Sequence, residues 1–505
     1  MPGYLLAHDL GTSGNKATLF SSEGQLLQSV SYPYDTSFFN GNWAEQDACS
    51  WWKAVCSSTR AILQGYSPKD VAAVSFSGQM MGCVCVDRQG QPLRNAVIWA
   101  DQRSVSQINR LKEKIDPNDF YKITGHRPSP SYSLGKLLWI RENEPDTYRH
   151  TYKMLNAKDY IIYKLTGEFV TDYSDASGTN LFDLNTFKWS DKIIDAAQID
   201  GAKLPDLKPS TCVAGGITSK AAVETGLVPG TPVVCGGGDG VCAAVGAGCI
   251  CENTAYNYVG SSSWIGLTSK EPIYDHKMRT FNWAHIVPGL ISPCGTMQAA
   301  GASLSWLKNE ICREEDCLAK ETGSNVFDLI NSAAEGSVPG SNGLIYLPYL
   351  LGERSPHWNE NARGAFIGLK MEHKRSDILR AVIEGVFLNL NLILEIFREY
   401  AEFDGITVIG GGVKGEIQRR IMADIYGLNI LALSHLEEAT SMGAAITGGV
   451  GVGIFKDFDA ISRFIEVMDI RKPDIENRRI YDSLKPVFAM AYKRLEPVYE
   501  ALAAL

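Results

Sequence analysis

The sequence predicts a mixed α/β protein of two large, similar domains with room for one ligand between them. Three observations point there. At 505 residues the chain exceeds what one hydrophobic core usually supports. Near the start, YLLAHDL runs into the turn GTSGN and leaves as KATLF, then SSEG and QLLQSVSY, which reads as strand, small-residue turn, strand. About half a chain later NTAYNYVG, SSSW and IGLTS repeat that pattern. The change of pattern near residues 250–257 places the division at 1–252 and 253–505.

Between the two loops lie helical stretches, QDACSWWKAVCSSTRAIL and SLGKLLWIRENEPDTYRH, and strand candidates VAAVSFSG, AVIW and TPVVCGG. In the second half, SDILRAVIEGVFLNLNLILEIFREYAEF carries a broad apolar face at helical spacing, with Ser376 as its expected cap. ITVIGGGVKGEIQRRIMADIYG reads as strand, glycine turn, helix, and the chain from about Val452 onward reads as helical.

Composition narrows the function. With 45% hydrophobic and 21% charged residues the chain is an ordinary globular one. A net charge of −9 argues against nucleic acid or an anionic membrane as partner, since either favours a basic face. No window approaches the twenty or so apolar residues of a membrane span, and MPGYLLAHDLG lacks the basic start of a signal peptide. A cytoplasmic location is therefore expected. Twelve cysteines include only C-x-C pairs inside apolar runs, Cys83/Cys85 and Cys249/Cys251, which read as buried free thiols.

The glycine loops exclude two familiar chemistries. A P-loop needs G-x-x-x-x-G-K-[ST] before a helix, and a dinucleotide fingerprint needs G-x-G-x-x-G opening a helix. Here a strand follows the glycines. A plain hairpin turn would explain either loop alone.

Taken in order, HDLGTSGNK, WAEQD, SGQMMG, VIWADQR, SYSLGKLLWIREN, LNAKDY, LTGE, SDASGT, GGGDG, GSSSW, LPYLLGERSP, GAFIGL, DILRAVIEG, VIGGG and MGAA resemble the FGGY family of carbohydrate kinases nearly end to end, and its xylulokinase branch in particular. The resemblance implies two duplicated RNase H-like domains, as in actin, hexokinase and the Hsp70 ATPase, with an interdomain cleft. It implies ATP and Mg²⁺ as cofactors and a small sugar as acceptor. The expected reaction is phosphorylation of a ketopentose, foremost D-xylulose to D-xylulose 5-phosphate. Other pentuloses such as ribulose or L-xylulose, polyols and sugar acids such as gluconate are the alternatives. A homodimer is left open.

The same resemblance assigns roles. Asp239 is the expected base that takes the proton of the attacking hydroxyl, although D-G pairs are by default turns. Asp9 is the metal-organising carboxylate, with Asp239 beside it, while His8 reads as structural. Gly11, Thr12, Ser13 and Lys16 form the first phosphate loop, and Gly260, Ser261 and Ser262 the second. Gly411 and Gly412, after Gly410, are expected at the adenosine, where glycine lets backbone approach a flat base. Gly301 lines the nucleotide pocket with Ala302, or serves only to pack the start of its helix. Gln79, Met80, Met81, Asp101 and Arg103 are expected on the acceptor side with Asp239. Two positions depart from the usual xylulokinase pattern. Met81 stands where His is common, and Gly240 where a polar Asn or Gln is common, so each removes a hydrogen-bonding group that bears on substrate choice. A rival class, an ATPase coupling nucleotide state to protein binding, predicts turnover indifferent to sugars. It also predicts an added peptide-binding domain, for which the chain after Gly451 is too short.

Overall fold

The structure is a computed structural model and describes residues 3–505. In the first lobe, β1 (Tyr4–Leu10), β2 (Gly14–Ser21) and β3 (Leu26–Pro33) form an antiparallel meander. β4 (Val71–Gly78) lies parallel to β1. β5 (Val213–Gly216), β6 (Pro232–Val234) and the short β7 (Gly237–Gly238) complete the sheet, with β6 and β7 both parallel to β4. β1 is buried along most of its length because both faces of the sheet are covered, so its apolar residues run consecutively rather than alternate.

The second sheet contains β8 (Ala255–Val259), β9 (Ser263–Leu267), β10 (Phe281–Ala284), β11 (Ile291–Met297), β12 (Gly405–Ile409), β13 (Asn429–Leu433) and β14 (Val467–Arg471). Its spatial order is β10-β11-β9-β8-β12-β13-β14. β8, β9 and β11 are antiparallel, and β12 and β13 run parallel to β8. The series β11-β9-β8-β12-β13 thus reproduces β3-β2-β1-β4-β6 of the first sheet. This is the duplicated RNase H-like fold.

The helices follow the same duplication. α1 (Ala48–Leu63), capped by the Asp47 carboxylate on the Cys49 N–H, packs on β2 and β3. α2 (Ala157–Thr166) lies beside α1, and α3 (Asp239–Gly246) follows β7 directly. In the second half, α4 (Arg375–Arg398) covers β9 and β11, and α5 (Glu416–Tyr426) packs on α4. α6 (Ala439–Gly451) leaves β13 and crosses to the first lobe, packing on α3, β1 and β4. α7 (Ile475–Ala503) closes the chain.

Four expectations need correction. Ser376 lies inside the first turn of α4, whose cap is Lys374 with the Asp377 carboxylate accepting from the Lys374 N–H. The stretch read as one helix from Ser133 breaks at Glu144, because Pro145 forces its predecessor out of helical backbone. AVIW shrinks to the two-residue strand Ala96–Val97. The tail is not helical throughout, since β14 edges the second sheet before α7 begins. All twelve cysteines are free thiols, although Cys251 is exposed.

The helices α3 and α6 touch backbone to backbone. A Cβ on Gly443 would lie 2.0 Å from the Cys242 carbonyl oxygen, and one on Gly246 1.9 Å from that of Ala439. Apolar residues of both helices, Val241 to Val245 and Met442 to Ile446, share one buried cluster with Leu5, Ala7 and Ala73 of the first sheet and Tyr256 and Ile409 of the second. Gly443→Ala is therefore expected to cost about 3 kcal/mol or more, the upper end of overpacking penalties. Chemical denaturation checks this, and an unchanged midpoint would contradict so close a crossing.

Candidate active site

Asp9 sits near the C-terminal end of β1, in register with Lys16 of β2 and Ser77 of β4. Its two oxygens are each held. The Ser77 hydroxyl donates to Oδ1 at 2.8 Å and the Thr440 hydroxyl to Oδ2 at 2.7 Å. Asp239 opens α3, with the Gly240 N–H donating to its Oδ1 at 2.8 Å. Burial pushes the Asp239 carboxyl up to about 7, and the nearby charge of Asp9 adds to that shift. The backbone N–H groups of Gly240 and Asp239 oppose it without overcoming it. Two neighbouring carboxylates therefore have opposite preparation, one fixed by hydroxyl donors and the other poised near neutrality.

His8, next to Asp9, is fully buried between Asn15 and Thr59, and burial lowers its imidazole to about 4. It is a neutral structural residue, as its place in the middle of a covered strand implies.

The nucleotide-side candidates converge across the lobes. Gly11 N donates to Gly14 O at 3.0 Å, closing the first turn and leaving Ser13 exposed. The Thr12 hydroxyl accepts from the Trp99 indole at 2.9 Å, so it is engaged within its own lobe. Lys16 reaches the second half, donating to Glu437 O at 2.9 Å and lying 3.7 Å from the Glu438 carboxylate. Glu437 in turn touches the adenosine-side turn: a Cβ on Gly411 would lie 3.2 Å from its carboxylate. Gly412 packs on Val259, the last residue of β8, where a Cβ would come within 2.5 Å. Gly410 takes φ +94°, a backbone that favours glycine. Gly260 and Ser261 are joined to the next helix, for Gly301 N donates to Gly260 O at 2.9 Å and Ala302 N to Ser261 O at 3.0 Å. A Cβ on Gly301 would lie 2.4 Å from Gly260 O, so glycine there packs the loop; Ser261 is exposed and Ser262 half-buried.

The acceptor-side candidates divide. Gln79 is buried, donates to Gln46 at 2.8 Å, and keeps its own Oε1 without a partner among the described residues. Met80 lies against Gly238, where a Cβ would meet its sulfur at 2.3 Å. Met81 takes φ +65° and joins Met80, Tyr132, Phe281 and Trp283 in the interlobe cluster. Asp101 and Arg103 instead consume each other in a bidentate pair, with Nε–Oδ1 at 3.0 Å and a terminal nitrogen on Oδ2 at 2.7 Å. Asp101 also accepts from Ala44 N, and the Arg103 guanidinium lies over Trp43 and beside Glu45. Gly240 is open, since a Cβ built there meets nothing within 4 Å.

Ser77, Thr440 and Glu437 belong to the site without having been expected from the sequence. Ser77 could have been found from its place one strand over from Asp9; Thr440 carries no local signal.

Residues 4–246 match the N-terminal domain of the FGGY family of carbohydrate kinases, and residues 255–452 match its C-terminal domain. The chain belongs to that family and is a carbohydrate kinase. It is 35% identical to a xylulose kinase of Staphylococcus epidermidis over 97% of this chain and 96% of the relative. It is 32% identical to a gluconokinase of Bacillus licheniformis over 100% and 98%. Among solved structures, a ligand-bound xylulose kinase from Lactobacillus acidophilus superposes with a TM-score of 0.92 at 26% identity, covering 99% of this chain and 100% of that one. Among the described residues no helix is long and apolar enough to cross a membrane.

The raised Asp239 carboxyl has a consequence for stability. Its folded value, about 7, lies above the unsubstituted 3.8, so the stability it contributes is complete below about pH 4 and is lost as pH rises through about 7. Asp239→Asn cannot ionise. It is expected to melt above the wild type at pH 8 and to converge with it near pH 4. Thermal melts at the two pH values check this, and a lower melting temperature for the variant at pH 8 would contradict it.

Proposed function

We propose that this chain transfers the γ-phosphate of ATP to a primary hydroxyl of a ketopentose, with D-xylulose to D-xylulose 5-phosphate as the leading reaction. The observation that carries the proposal is the pairing of Asp239 with Asp9 where the small-residue loops of the two lobes converge. Phosphoryl transfer needs positioning and charge stabilisation more than covalent chemistry. The loops Gly11–Ser13 and Gly260–Ser262 offer backbone N–H groups and hydroxyls for phosphate oxygens, with Lys16 as the adjacent cation. Gly411, exposed at the turn, leaves its backbone bare for the adenosine, while Gly412 lets the turn pack on Val259.

Asp239 is assigned to orient the acceptor hydroxyl and take its proton. Asp9 and Asp239 would hold Mg²⁺. Mg²⁺ keeps several waters and takes one or two carboxylates beside phosphates. The donor set fits: Asp9 and Asp239 supply carboxylate oxygens close enough for the charge of one to act on the other, the ligand type Mg²⁺ takes. The ion supplies neutralisation of phosphate charge when bound. Gln79, with an unpartnered buried Oε1, is assigned to receive an acceptor hydroxyl. Met80 and Met81 give that hydroxyl's carbon chain an apolar wall.

A second reading, a sugar acid as acceptor, is favoured by Arg354. Two of its guanidinium nitrogens are buried without hydrogen-bond partners among the described residues. The guanidinium lies over Phe281 and Trp358, which belong to or pack on the cluster containing Met80 and Met81. A carboxylate would satisfy it. Comparison of kcat/KM over pentuloses, hexuloses, polyols and aldonates in a coupled ADP-release assay decides between the two. A flat response to every sugar would overturn both.

Asp239→Ala is expected to lower kcat by about 10²–10⁴-fold, the usual worth of a positioned general base, while nucleotide affinity stays within a few fold. Because a base must be ionised to act, kcat/KM for the sugar should rise with pH through about 7. Gly240→Asn should fold normally, since the added side chain enters open space, and should shift kcat/KM among acceptors. Unchanged selectivity would remove position 240 from the acceptor site.

A further inference from the structure

The motifs LNAKDY and SDASGT are not used by the chemistry above, yet the fold brings them together behind Asp239. Lys158, in the first turn of α2, is fully buried. Its ammonium lies 2.7 Å from Asp159, 2.8 Å from Asp172 and 3.4 Å from Asp175, all of them fully buried. Burial and the neighbouring carboxylates push Asp175 well above the usual carboxylate range, and among the described residues neither of its oxygens has a hydrogen-bond partner.

Asp172 is the hub. One oxygen meets Lys158, and the other accepts from the Ser174 N–H at 2.9 Å, from the Ser174 hydroxyl and from the Ser210 hydroxyl at 2.7 Å. Every contact to Asp172 is a donor. The Ser174 hydroxyl must spend its proton on Asp172, which leaves its lone pairs for another donor. That donor is the Gly238 N–H, at 3.1 Å. Gly238 is the residue before Asp239 and the cap of α3. The neighbouring Gly237 keeps the approach open, because a Cβ there would lie 2.9 Å from the Ser174 Oγ.

We infer that Ser174 is a positioning residue for phosphoryl transfer, held by Asp172 and Lys158 and setting the backbone from which the Asp239 carboxylate projects. Without the hydroxyl, the buried Gly238 N–H loses its acceptor, and the β7–α3 junction shifts to find another. A base misplaced by a fraction of an ångström loses rate without losing substrate binding. The inference rests on Asp239 as the base.

The test is steady-state kinetics of full-length Ser174→Ala, Ser210→Ala and Asp239→Asn, with the Ser174→Ala/Asp239→Asn double variant. Ser174→Ala is expected to lower kcat by about 10–100-fold with KM for ATP within about twofold. Ser210→Ala, which removes a donor from the same Asp172 oxygen but not the link to Gly238, should stay within about threefold of wild type. In the Asp239→Asn background, Ser174→Ala should cost nothing further, since residues that act as one unit are not additive. The inference is overturned by wild-type kcat in Ser174→Ala, by equal losses in Ser174→Ala and Ser210→Ala, or by additive losses in the double variant. Should Ser174→Ala fail to fold, the isosteric Asp172→Asn carries the same expectation, and unchanged kcat there overturns it. An active Asp239→Asn would instead remove the base assignment on which the inference rests; a dead Asp239→Asn beside a fully active Ser174→Ala removes the inference alone.

Discussion

The contact between α3 and α6 is the constraint on which the site depends. Each helix follows the last parallel strand of its own lobe, and the two meet at glycines close enough to forbid a methyl group. That approach places the first turn of α6 against the end of β1, so that Thr440 can donate to Asp9. It also fixes the start of α3, where Asp239 lies within electrostatic reach of Asp9. One packing event thus carries both carboxylates, and the cluster beneath it belongs equally to both sheets.

Around that crossing the two carboxylates are prepared by different means. Asp9 has a hydroxyl on each oxygen, drawn from both halves of the chain. Asp239 has backbone N–H donors alone, and burial works against its charge. A group that takes a proton during turnover gains from being near its titration point, whereas one that organises a cation gains from staying fixed. The contrast follows from position: one residue lies near the end of a strand, within reach of Ser77 on the next strand and Thr440 on α6, and the other begins a helix of small apolar residues.

Much of this was legible in the sequence because the chemistry sits at strand ends. The repeated strand–turn–strand loops, the lone charge of Asp239 among small residues and the glycines after β12 are all local signals. The partners that hold them are not local. Thr440 lies 431 positions from Asp9, in a helix whose residues look like ordinary small-residue packing. Asp101 and Arg103 illustrate the reverse. Their spacing suggests polar groups offered to a ligand, but Arg103 folds back onto Asp101 and is covered by Trp43 and Trp139, a partnership that residue type alone does not disclose. β14 carries no legible strand signal because its apolar residues Val467, Met468 and Ile470 are exposed while the half-buried pair is polar, Asp469 with Arg471.

Gly240 shows how an absence of side chain becomes a property of the site. Glycines at 236, 237 and 238 are enforced, since a Cβ at each would strike Phe76, Ile286 or Met80. Gly240 is under no such pressure, being free of neighbours within 4 Å, and the Tyr256 hydroxyl already donates to its carbonyl. Packing therefore does not explain the residue, and its neighbourhood to Asp239 does. In the proposed reaction a side chain there would reach toward the acceptor whose hydroxyl meets Asp239. Glycine at that position enlarges the acceptor side and withdraws one hydrogen-bonding group from it. Under the proposed assignment, discrimination among sugars then passes to the groups that remain: the Oε1 of Gln79 and the two guanidinium nitrogens of Arg354 without partners among the described residues, and the methionine wall.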